Sequence, residues 1–296
     1  MDTIAICAIQ KDEAPYLLEW IAFHLNAGVD HIRLYDNDST DDSPAILAAI
    51  AAKYPVSVVR HPTVAGQSPQ ITAYTDALGW LRGRAEFVAF IDLDEFLFGA
   101  DDRLLRDLVR AMPADISAIG INQRIFGSSD EIAYRPDLVT SRFARREPAL
   151  AKGCHFFKSI ARVRRIARPG VHNVAINSGR YVFSDGSPLE ASKEHAGKAT
   201  RIVRGPIRLH HYVTKSEAEF AVKRARGGAA SEQERWRKSR YSEESFALIN
   251  RVANRESDVS LSALAGRTRS KMREIFDIIR GDLPASALDL YLPLVR

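Results

Sequence analysis

The chain has 296 residues, of which 46% are hydrophobic and 27% are charged. This length suffices for one large α/β domain or two small ones, and the apolar content excludes a globally disordered chain. No apolar run approaches the roughly 20 residues that span a bilayer. The two cysteines cannot form a disulfide scaffold, and no Cys/His spacing typical of a zinc site occurs. The start of the chain is acidic where a signal peptide is basic, so we expect a cytoplasmic protein.

The formal net charge of +5 is unevenly distributed along the chain. Between Arg142 and Arg168 the sequence has nine Lys or Arg residues and one acid, Glu147. Such a stretch suits phosphates, acidic lipid or nucleic acid. A solvated surface with no partner explains it equally well.

The first hundred residues alternate between strand-like and helix-like patterns. Apolar runs predict four strands, at 4–9, 31–35, 56–59 and 87–91. An amphipathic pattern predicts a helix in each interval, and Ser43 is predicted to cap the second helix, with Pro44 as its first residue. This order predicts the α/β class, with a mostly parallel central sheet flanked by helices on both faces. Ligands of such sheets bind beyond the carboxyl ends of the strands.

The remainder of the chain is less regular. A helix is predicted at 104–112, irregular strands follow from about 116 to 212, and the polar tail from Ser216 is mostly helical. No repeat or glycine-serine linker divides the chain. We therefore expect one main domain at 1–215 and a helical C-terminal extension at 216–296.

The most informative stretch is FIDLDEF at 90–96. Residues two apart in a strand point the same way, so Asp92 and Asp94 are expected to converge. Two carboxylates that meet at a strand end repel each other unless a cation lies between them, and such hard oxygen ligands suit Mg²⁺ or Mn²⁺. The alternative is that these acids cap a neighbouring helix or pair with basic side chains.

Two further segments are candidates for ligand contact. Asp36 or Asn37, after the second strand, has the chemistry to bind a nucleotide base or ribose, although such residues are also ordinary turn formers. Of the adjacent His210 and His211, one at most is expected to face the acids as a third metal ligand. Three basic residues that follow suit either phosphates or a solvated helix face: Lys215, Lys223 and Arg226. Ser216 and Glu219 together predict a capping box.

Taken together, these segments resemble glycosyltransferases of the GT-A fold, most of all family 92 and its bacterial relatives of the family 2 type. The matching segments run in family order from about residue 4 to 227: CAIQKDEAPYLLEWIAFHLNAGVDHIRLYDNDSTDDS, QITAYTDAL, FVAFIDLDEFL, FGSSD, RFARR, FFKSI, RPGVHNV and HHYVTKSEAEFAVKRARG. The turn after residue 35 reads Asp-Asn-Asp-Ser, where many family 2 relatives carry Asp-Asp-Gly-Ser. This departure leaves open which acid contacts the uracil.

The resemblance implies a Rossmann-like nucleotide-sugar-binding fold and a hexosyltransferase activity. The expected reaction moves a sugar from a nucleotide-sugar, a UDP-sugar above all, to a glycan, lipid-linked or polysaccharide acceptor, with inversion and a divalent cation (Mn²⁺ or Mg²⁺). The residues implied for base and ribose are Lys11, Glu13, Asp36 and Asn37. Those implied for the diphosphate are Lys158 and Lys223, and those for the metal are Asp92, Asp94 and His211. For His172, the resemblance implies either metal ligation or acceptor contact.

An inverting transfer needs a base on the acceptor side. Asp130, in FGSSD, is our candidate for it, Glu131 and Glu194 are rivals, and an ordinary loop acid is the alternative for Asp130. One rival function is a nucleotidyltransferase or pyrophosphatase that uses the same acids and metal. Another is a non-enzymatic binder of nucleic acid or acidic lipid, but it leaves the acidic strand ends unexplained, so no nucleic acid partner is expected. Peripheral contact with the acidic inner face of a membrane is a further hypothesis.

Overall fold

The structure, a computed structural model, describes residues 3–226 and 241–295. Residues 227–240 of the predicted extension lie outside the described residues. The helices are α1 Ala14–Asn26, α2 Ser43–Ala51, α3 Pro69–Leu81, α4 Leu105–Arg110, α5 Val139–Arg142, α6 Glu217–Arg226, α7 Glu243–Ala253, α8 Ala265–Ile279 and α9 Ala285–Val295. The strands are β1 Ile4–Gln10, β2 His31–Asp36, β3 Val56–Arg60, β4 Phe87–Phe90, β5 Glu95–Gly99, β6 Ile116–Ile125, β7 Arg145–Arg146, β8 Phe157–Arg162, β9 Ile166–Pro169, β10 Val174–Ile176, β11 Arg180–Phe183, β12 Ile207–His211 and β13 Glu256–Ser257.

Within the described residues a nine-stranded sheet runs in the order β3-β2-β1-β4-β8-β6-β12-β5, with β11 paired to β6. The four N-terminal strands are parallel, as the sequence predicts. β8 is antiparallel to both β4 and β6, and β12 pairs parallel with β6 and antiparallel with β5. The predicted α/β class, with a mostly parallel sheet flanked by helices, is therefore confirmed.

Strand β1 shows why helices cover both faces of the sheet. Its alternate residues Ile6 and Ala8 belong to the core that contains α1 and α2, whereas Ala5 and Cys7 belong to the core that contains α3. Because side chains alternate along a strand, a strand that is apolar at every position requires a partner layer on each side. Cys7 is fully buried, as expected for a free cysteine in such a run.

The C-terminal helices share the larger core. Residues of α8 such as Met272 and Phe276 are buried in the same cluster as Trp20 and Ile21 of α1. Burial of each such large apolar side chain contributes about 2 kcal/mol. The division of the chain at residue 215 stays a prediction. Within the described residues, no helix combines the length and apolar composition that crossing a bilayer requires.

The structure tests two helix caps that the sequence predicts. Ser43 is the first residue of α2 instead of its cap, and its hydroxyl accepts the Glu13 N–H at 3.2 Å, so the predicted cap is wrong. Before α6, Glu219 donates its N–H to Ser216 Oγ at 3.3 Å, and the Ser216 N–H donates to Glu219 Oε2 at 3.2 Å. This reciprocal pair confirms the predicted capping box.

Candidate functional site

Two aspartates lie in the turn between β4 and β5. Strand alternation was the predicted reason for their convergence, and this reason is wrong, because β4 ends at Phe90 and both residues lie beyond it. Glu95 donates its N–H to the Asp92 carbonyl at 3.0 Å, and the Asp92 N–H donates to Glu95 Oε2 at 2.9 Å. A turn, and not strand alternation, therefore positions the two carboxylates at the carboxyl edge of the parallel strands.

Lys158 on β8 and Gln70 on α3 hold the carboxylate of Asp92. Lys158 Nζ lies 2.9 Å from Asp92 Oδ2, and Gln70 Nε2 donates to Oδ1 at 2.7 Å. Partial burial raises the pKa of the Asp92 carboxyl, but the Lys158 ammonium and the other polar contacts outweigh burial, so the pKa lies below its usual value. Asp92 is therefore an anion at neutral pH.

Asp94 is paired with a lysine that lies far away in the sequence. Lys223 Nζ, on α6, lies 2.6 Å from Asp94 Oδ2 and also donates to the Val213 carbonyl at 3.0 Å. His211 Nε2 lies 3.4 Å from the other oxygen, Asp94 Oδ1. Burial opposes ionisation, but Lys223 and His211 hold the pKa of the Asp94 carboxyl well below its usual value.

Gln123 on β6 fixes the orientation of His211. His211 Nδ1 lies 3.0 Å from Gln123 Oε1, while the amide nitrogen of Gln123 donates to the Gly153 carbonyl at 3.3 Å. Because Gln123 presents an acceptor oxygen, Nδ1 carries a hydrogen, and in the neutral ring the Nε2 lone pair faces Asp94. Two electron-rich atoms at this distance repel each other, and a cation between them would remove the repulsion. The neighbouring His210 points the other way, into the rings of Phe98 and Phe126.

The donor atoms of this cluster fit a divalent cation by their chemistry. Carboxylate oxygens with one imidazole nitrogen suit Mn²⁺ or Mg²⁺. In the described residues, however, no three His, Cys, Asp or Glu side chains are arranged as a metal site. Lys158 contacts one carboxylate oxygen of Asp92, and Lys223 contacts one carboxylate oxygen of Asp94. The assignment of Asp92, Asp94 and His211 to a metal stays a prediction.

Glu95 is a member of this cluster that the sequence reasoning missed. Its side chain is fully buried, with Oε2 3.4 Å from Lys158 Nζ and Oε1 3.7 Å from His211 Nδ1. Burial raises the pKa of Glu95 to about 7. Strand alternation would have pointed Glu95 away from the two aspartates, and only the turn brings it round.

The residues predicted to contact base and ribose lie at the ends of β1 and β2. Asp36 accepts a short hydrogen bond from Gln10, its partner across the two strands. The side-chain amide of Asn37 donates to the His61 carbonyl at 2.8 Å. Both residues are buried, and Lys11 is half-buried immediately after β1. They share the sheet edge with the aspartates, since the ends of parallel strands meet at one edge. Their contact with a nucleotide stays a prediction.

Glu13, also predicted to contact the nucleotide, is enclosed by two cations. Arg226 pairs with Glu13 Oε1 and donates to the carbonyls of Lys11 and Asp12 at 2.7 and 2.6 Å. Lys215 Nζ lies 3.9 Å from Glu13 Oε2, and burial lowers the pKa of Lys215. Neither contact was predictable from the sequence, because more than two hundred residues separate Arg226 and Lys215 from Glu13.

The predicted base lies apart from these residues. Asp130 is paired with Arg145 at 2.5 Å and accepts a hydrogen bond from Asn254 Nδ2 at 3.2 Å. Its side chain is 67% exposed, and its described contacts include none of the acidic cluster. Of its rivals, Glu131 is paired with Arg135 and Arg142. Glu194 is exposed. The structure therefore does not bring Asp130 into contact with the aspartates, and the base role stays a prediction.

His172 lies in the loop between β9 and β10, beside the lysine that holds Asp92. The carbonyl of its neighbour Val171 accepts a hydrogen bond from Lys158 Nζ at 3.0 Å. The ring of His172 contacts those of Phe156 and His195, with centroids 5.3 and 6.1 Å apart. This position favours neither of the two implied roles over the other.

Comparison with known families gives one match over most of the chain. The family model described as "Glycosyltransferase family 92" matches residues 3–195. A glycosyltransferase family 92 protein of Ricinus communis is 32% identical over 108 residues, or 36% of this chain and 19% of that protein. A family 92 protein of Oryza sativa subsp. japonica is 29% identical over 109 residues, or 36% of this chain and 18% of that protein. The alignments thus span about a fifth of the length of these curated relatives.

Solved structures show only a distant likeness. TarS of S. aureus, residues 1–349, is 14% identical with a TM-score of 0.39, and the match covers 98% of this chain and 89% of that chain. Glucosyl-3-phosphoglycerate synthase of Mycobacterium tuberculosis, in complex with Mn²⁺, UDP and glucosyl-3-phosphoglycerate, is 17% identical with a TM-score of 0.30. That match covers 56% of this chain and 58% of the other. At these values the likeness says nothing about the site.

Proposed function

The chain belongs to glycosyltransferase family 92, and on this premise we propose that it transfers a hexosyl group from a nucleotide-sugar, a UDP-sugar above all, to the hydroxyl of an acceptor. The acceptor class proposed is a glycan, a lipid-linked sugar or a polysaccharide. A single displacement with inversion at the anomeric carbon is the proposed course of the reaction.

One observation supports this proposal most strongly. The two aspartates at the end of β4 meet two lysines and a histidine that come from β8, α6 and β12. A sheet edge that gathers both charge signs in one place is suited to a diphosphate, because its oxygens need cations while a bound metal ion needs carboxylates. A purely structural set of ion pairs would not need the oriented imidazole of His211.

In the proposed reaction, one bond forms at the anomeric carbon while another breaks. The acceptor oxygen forms a bond to the anomeric carbon, and the bond from that carbon to the phosphate oxygen breaks. The acceptor proton passes to a protein base, and the electron pair leaves with the nucleoside diphosphate. Lys158 and Lys223, which now neutralise Asp92 and Asp94, are the side chains placed to bind the negative charge that develops on the leaving group.

A divalent cation, when bound, would neutralise charge on the diphosphate. Asp92, Asp94 and His211 are the residues that would hold it, and Gln123 keeps the His211 ring turned for that task. The protein's own contribution is this positioning, together with the two lysines.

Asp130 is our proposed base because it is accessible on the loop that follows β6. A base must reach the acceptor hydroxyl, and Glu131 is tied down by Arg142, which is itself fully buried. Arg145 must release Asp130 for this role. Glu194, exposed beside the ring of His195, is the alternative that the same experiment tests.

Peripheral membrane contact remains a proposal with a narrower basis than the sequence suggested. Within the described residues, six members of the basic stretch take part in ion pairs: Arg142, Arg145, Arg146, Lys158, Arg162 and Arg164. Exposed positions such as Lys152 and Arg168 remain for a partner. Co-sedimentation with anionic vesicles at low salt that disappears at high salt is the expected result, and no co-sedimentation at either salt concentration contradicts it. A cytoplasmic location is the accompanying proposal.

The experiment that tests the proposed function is a screen of nucleotide-sugars, UDP-sugars first, for release of nucleoside diphosphate with Mn²⁺, Mg²⁺ or EDTA. Candidate glycan and lipid-linked acceptors are each added and omitted. Diphosphate release that needs the metal and an acceptor supports the proposal. Release of pyrophosphate or nucleoside monophosphate instead assigns the site to a nucleotidyltransferase or pyrophosphatase.

A further inference from the structure

Lys215 occupies an unusual position between β12 and α6. Its backbone has φ +54°, a left-handed conformation that L-residues with long side chains rarely adopt. The residue is only 4% exposed. A buried lysine in a strained backbone conformation requires a reason, since both features oppose folding.

The ammonium of Lys215 lacks the partners that the neighbouring lysines have. Lys158 and Lys223 each donate to one carboxylate and one backbone carbonyl. Within the described residues, Lys215 Nζ donates no hydrogen bond. Its nearest carboxylate oxygen, Glu13 Oε2, is 3.9 Å away, and the ammonium instead lies 3.8 Å from the centroid of the Tyr16 ring.

The pair of Lys215 and Glu13 is therefore incomplete on both sides. Glu13 Oε2 is buried and has no hydrogen-bond partner, while Glu13 Oε1 is taken by Arg226. An ammonium has three donors, and a buried one normally uses them on carboxylates or carbonyls. Contact with an aromatic face offsets part of the lost hydration, but it supplies no acceptor.

Lys215 also lies near the acidic cluster in the fold. The carbonyl of Val213, two residues earlier, accepts from Lys223 Nζ, which in turn pairs with Asp94. Lys215 is close enough that the charges of Lys223 and Asp94 both act on its proton affinity. This ammonium, which has no hydrogen-bond acceptor among the described residues, lies at the side of the site that the β1–α1 loop and α6 enclose.

We propose that Lys215 forms, together with Lys223, a binding subsite for a phosphate group of the donor's diphosphate. This inference rests on the proposed function, because the nucleotide-sugar donor is the molecule that brings a diphosphate to this edge of the sheet. A phosphate oxygen supplies the acceptor that Lys215 lacks. Lys223, on the second turn of α6, contributes another ammonium donor. The subsite is formed before the phosphate binds, and the backbone strain and the ammonium without a hydrogen-bond acceptor oppose folding until then.

The test compares nucleoside diphosphates with the matching nucleosides, which lack the diphosphate. UDP, GDP, ADP and CDP and their nucleosides are titrated into the protein by calorimetry, in EDTA and in Mn²⁺. The diphosphate that binds most tightly to the unaltered protein is then titrated into Lys215→Met. We expect its affinity to fall about tenfold or more in both buffers, with nucleoside affinity unchanged, because a charge-assisted hydrogen bond is lost. Arg224→Met, which removes an exposed cation of α6, is the matched control and should change neither affinity.

Thermal stability without nucleotide separates binding from a structural role. If Lys215 serves the donor, then Lys215→Met melts at the same temperature as the unaltered protein or higher, since a poorly partnered buried charge is removed. Unchanged diphosphate affinity overturns the inference, and so does an equal loss for diphosphate and nucleoside. If Lys215→Met fails to fold, Lys215→Gln is titrated with the same criteria. Failure of the unaltered protein to bind any diphosphate would instead refute the proposed function, and the inference with it.

Discussion

Asp94 and Lys223 form a 2.6 Å ion pair between residues 129 positions apart in the sequence. Asp94 lies in the turn before β5, and Lys223 lies on α6, so the pair fastens the helix to the carboxyl edge of the sheet. Both side chains are mostly buried. In the proposed reaction, the same lysine exchanges part of its contact with Asp94 for the diphosphate. The pair therefore links the position of α6 to the charge state of the aspartate.

Asp94→Ala should remove nearly all transfer activity and leave the fold recognisable. The change deletes a proposed metal ligand and leaves the Lys223 ammonium without its carboxylate partner. We therefore expect kcat/KM to fall on the order of 100-fold or more. Breaking a buried pair also costs about 3 kcal/mol of stability. Steady-state kinetics with saturating Mn²⁺ and circular dichroism measure the two effects. Asp289→Ala, at an exposed acid of α9, is the control. Near-normal turnover of Asp94→Ala with metal present would contradict the metal assignment.

Asp130→Asn should retain donor binding but lose turnover. The amide keeps the shape of the side chain and its contact with Asn254, but it accepts no proton. Donor affinity from calorimetry and kcat from steady-state assays should therefore separate, with affinity constant and kcat lowered by roughly 100-fold or more. Glu194→Gln is measured in parallel. Should turnover survive in Asp130→Asn and fall in Glu194→Gln, the base role passes to Glu194.

Asn254→Ala tests whether α7 positions the loop at 127–130. Asn254 Oδ1 accepts the Ser129 N–H at 3.0 Å, and its Nδ2 donates to Asp130. Ser129 and Asp130 both have positive φ, at +50° and +64°, so the loop conformation depends on such support. We expect a loss of stability of about 1–2 kcal/mol, from chemical denaturation, and a smaller fall in kcat than for Asp130→Asn.

A double variant shows whether the two side chains act together. If Asn254 acts by holding Asp130, then Asp130→Asn with Asn254→Ala is no slower than Asp130→Asn alone. A further independent drop in kcat in the double variant would mean that Asn254 acts elsewhere.

The first four strands were predictable because their signals are local. Each is a short apolar run bounded by a turn or a helix start, and the order of elements implies the parallel sheet. The acidic turn after β4 was located from the same pattern, although the direction of Glu95 was not. Adjacent histidines were correctly expected to diverge, since that follows from strand geometry alone: His210 enters an aromatic cluster and His211 faces Asp94.

The partners of the acids were harder to deduce, because long-range packing decides them. Nothing in the sequence near Glu13 indicates that Arg226 will pair with it, or that Lys215 will lie over Tyr16. The insertion of antiparallel β8 beside β4, which brings Lys158 to Asp92, likewise depends on pairing between distant segments. Resemblance to a family supplied Lys158 as a candidate, which residue patterns alone did not.

His24 should make folding stability depend on pH in mildly acidic solution. It is fully buried in α1, where Nδ1 donates to the Trp20 carbonyl at 2.8 Å and Nε2 accepts the Leu97 N–H at 3.2 Å. Both ring nitrogens are thus used by the neutral form, and burial lowers the pKa of His24 to about 3. Above the unfolded pKa of about 6.5, neither state binds the proton, and the contribution to stability is fully present. As the pH falls towards 3, only the unfolded chain is protonated, so stability is lost.

The size of this effect is measurable against a variant that lacks the imidazole. Between pH 7 and pH 5, His24 alone should lower the free energy of unfolding by about 2 kcal/mol. The buried carboxyl of Glu95, with its raised pKa, works in the opposite direction, so the total pH dependence of the protein does not isolate His24. The difference between the protein and His24→Asn does isolate it: the variant should be less stable at pH 7 but should lose about 2 kcal/mol less on going to pH 5. Equal pH dependence in His24→Asn and the unaltered protein would mean that the histidine takes up its proton while folded, against the hydrogen bonds that hold it neutral.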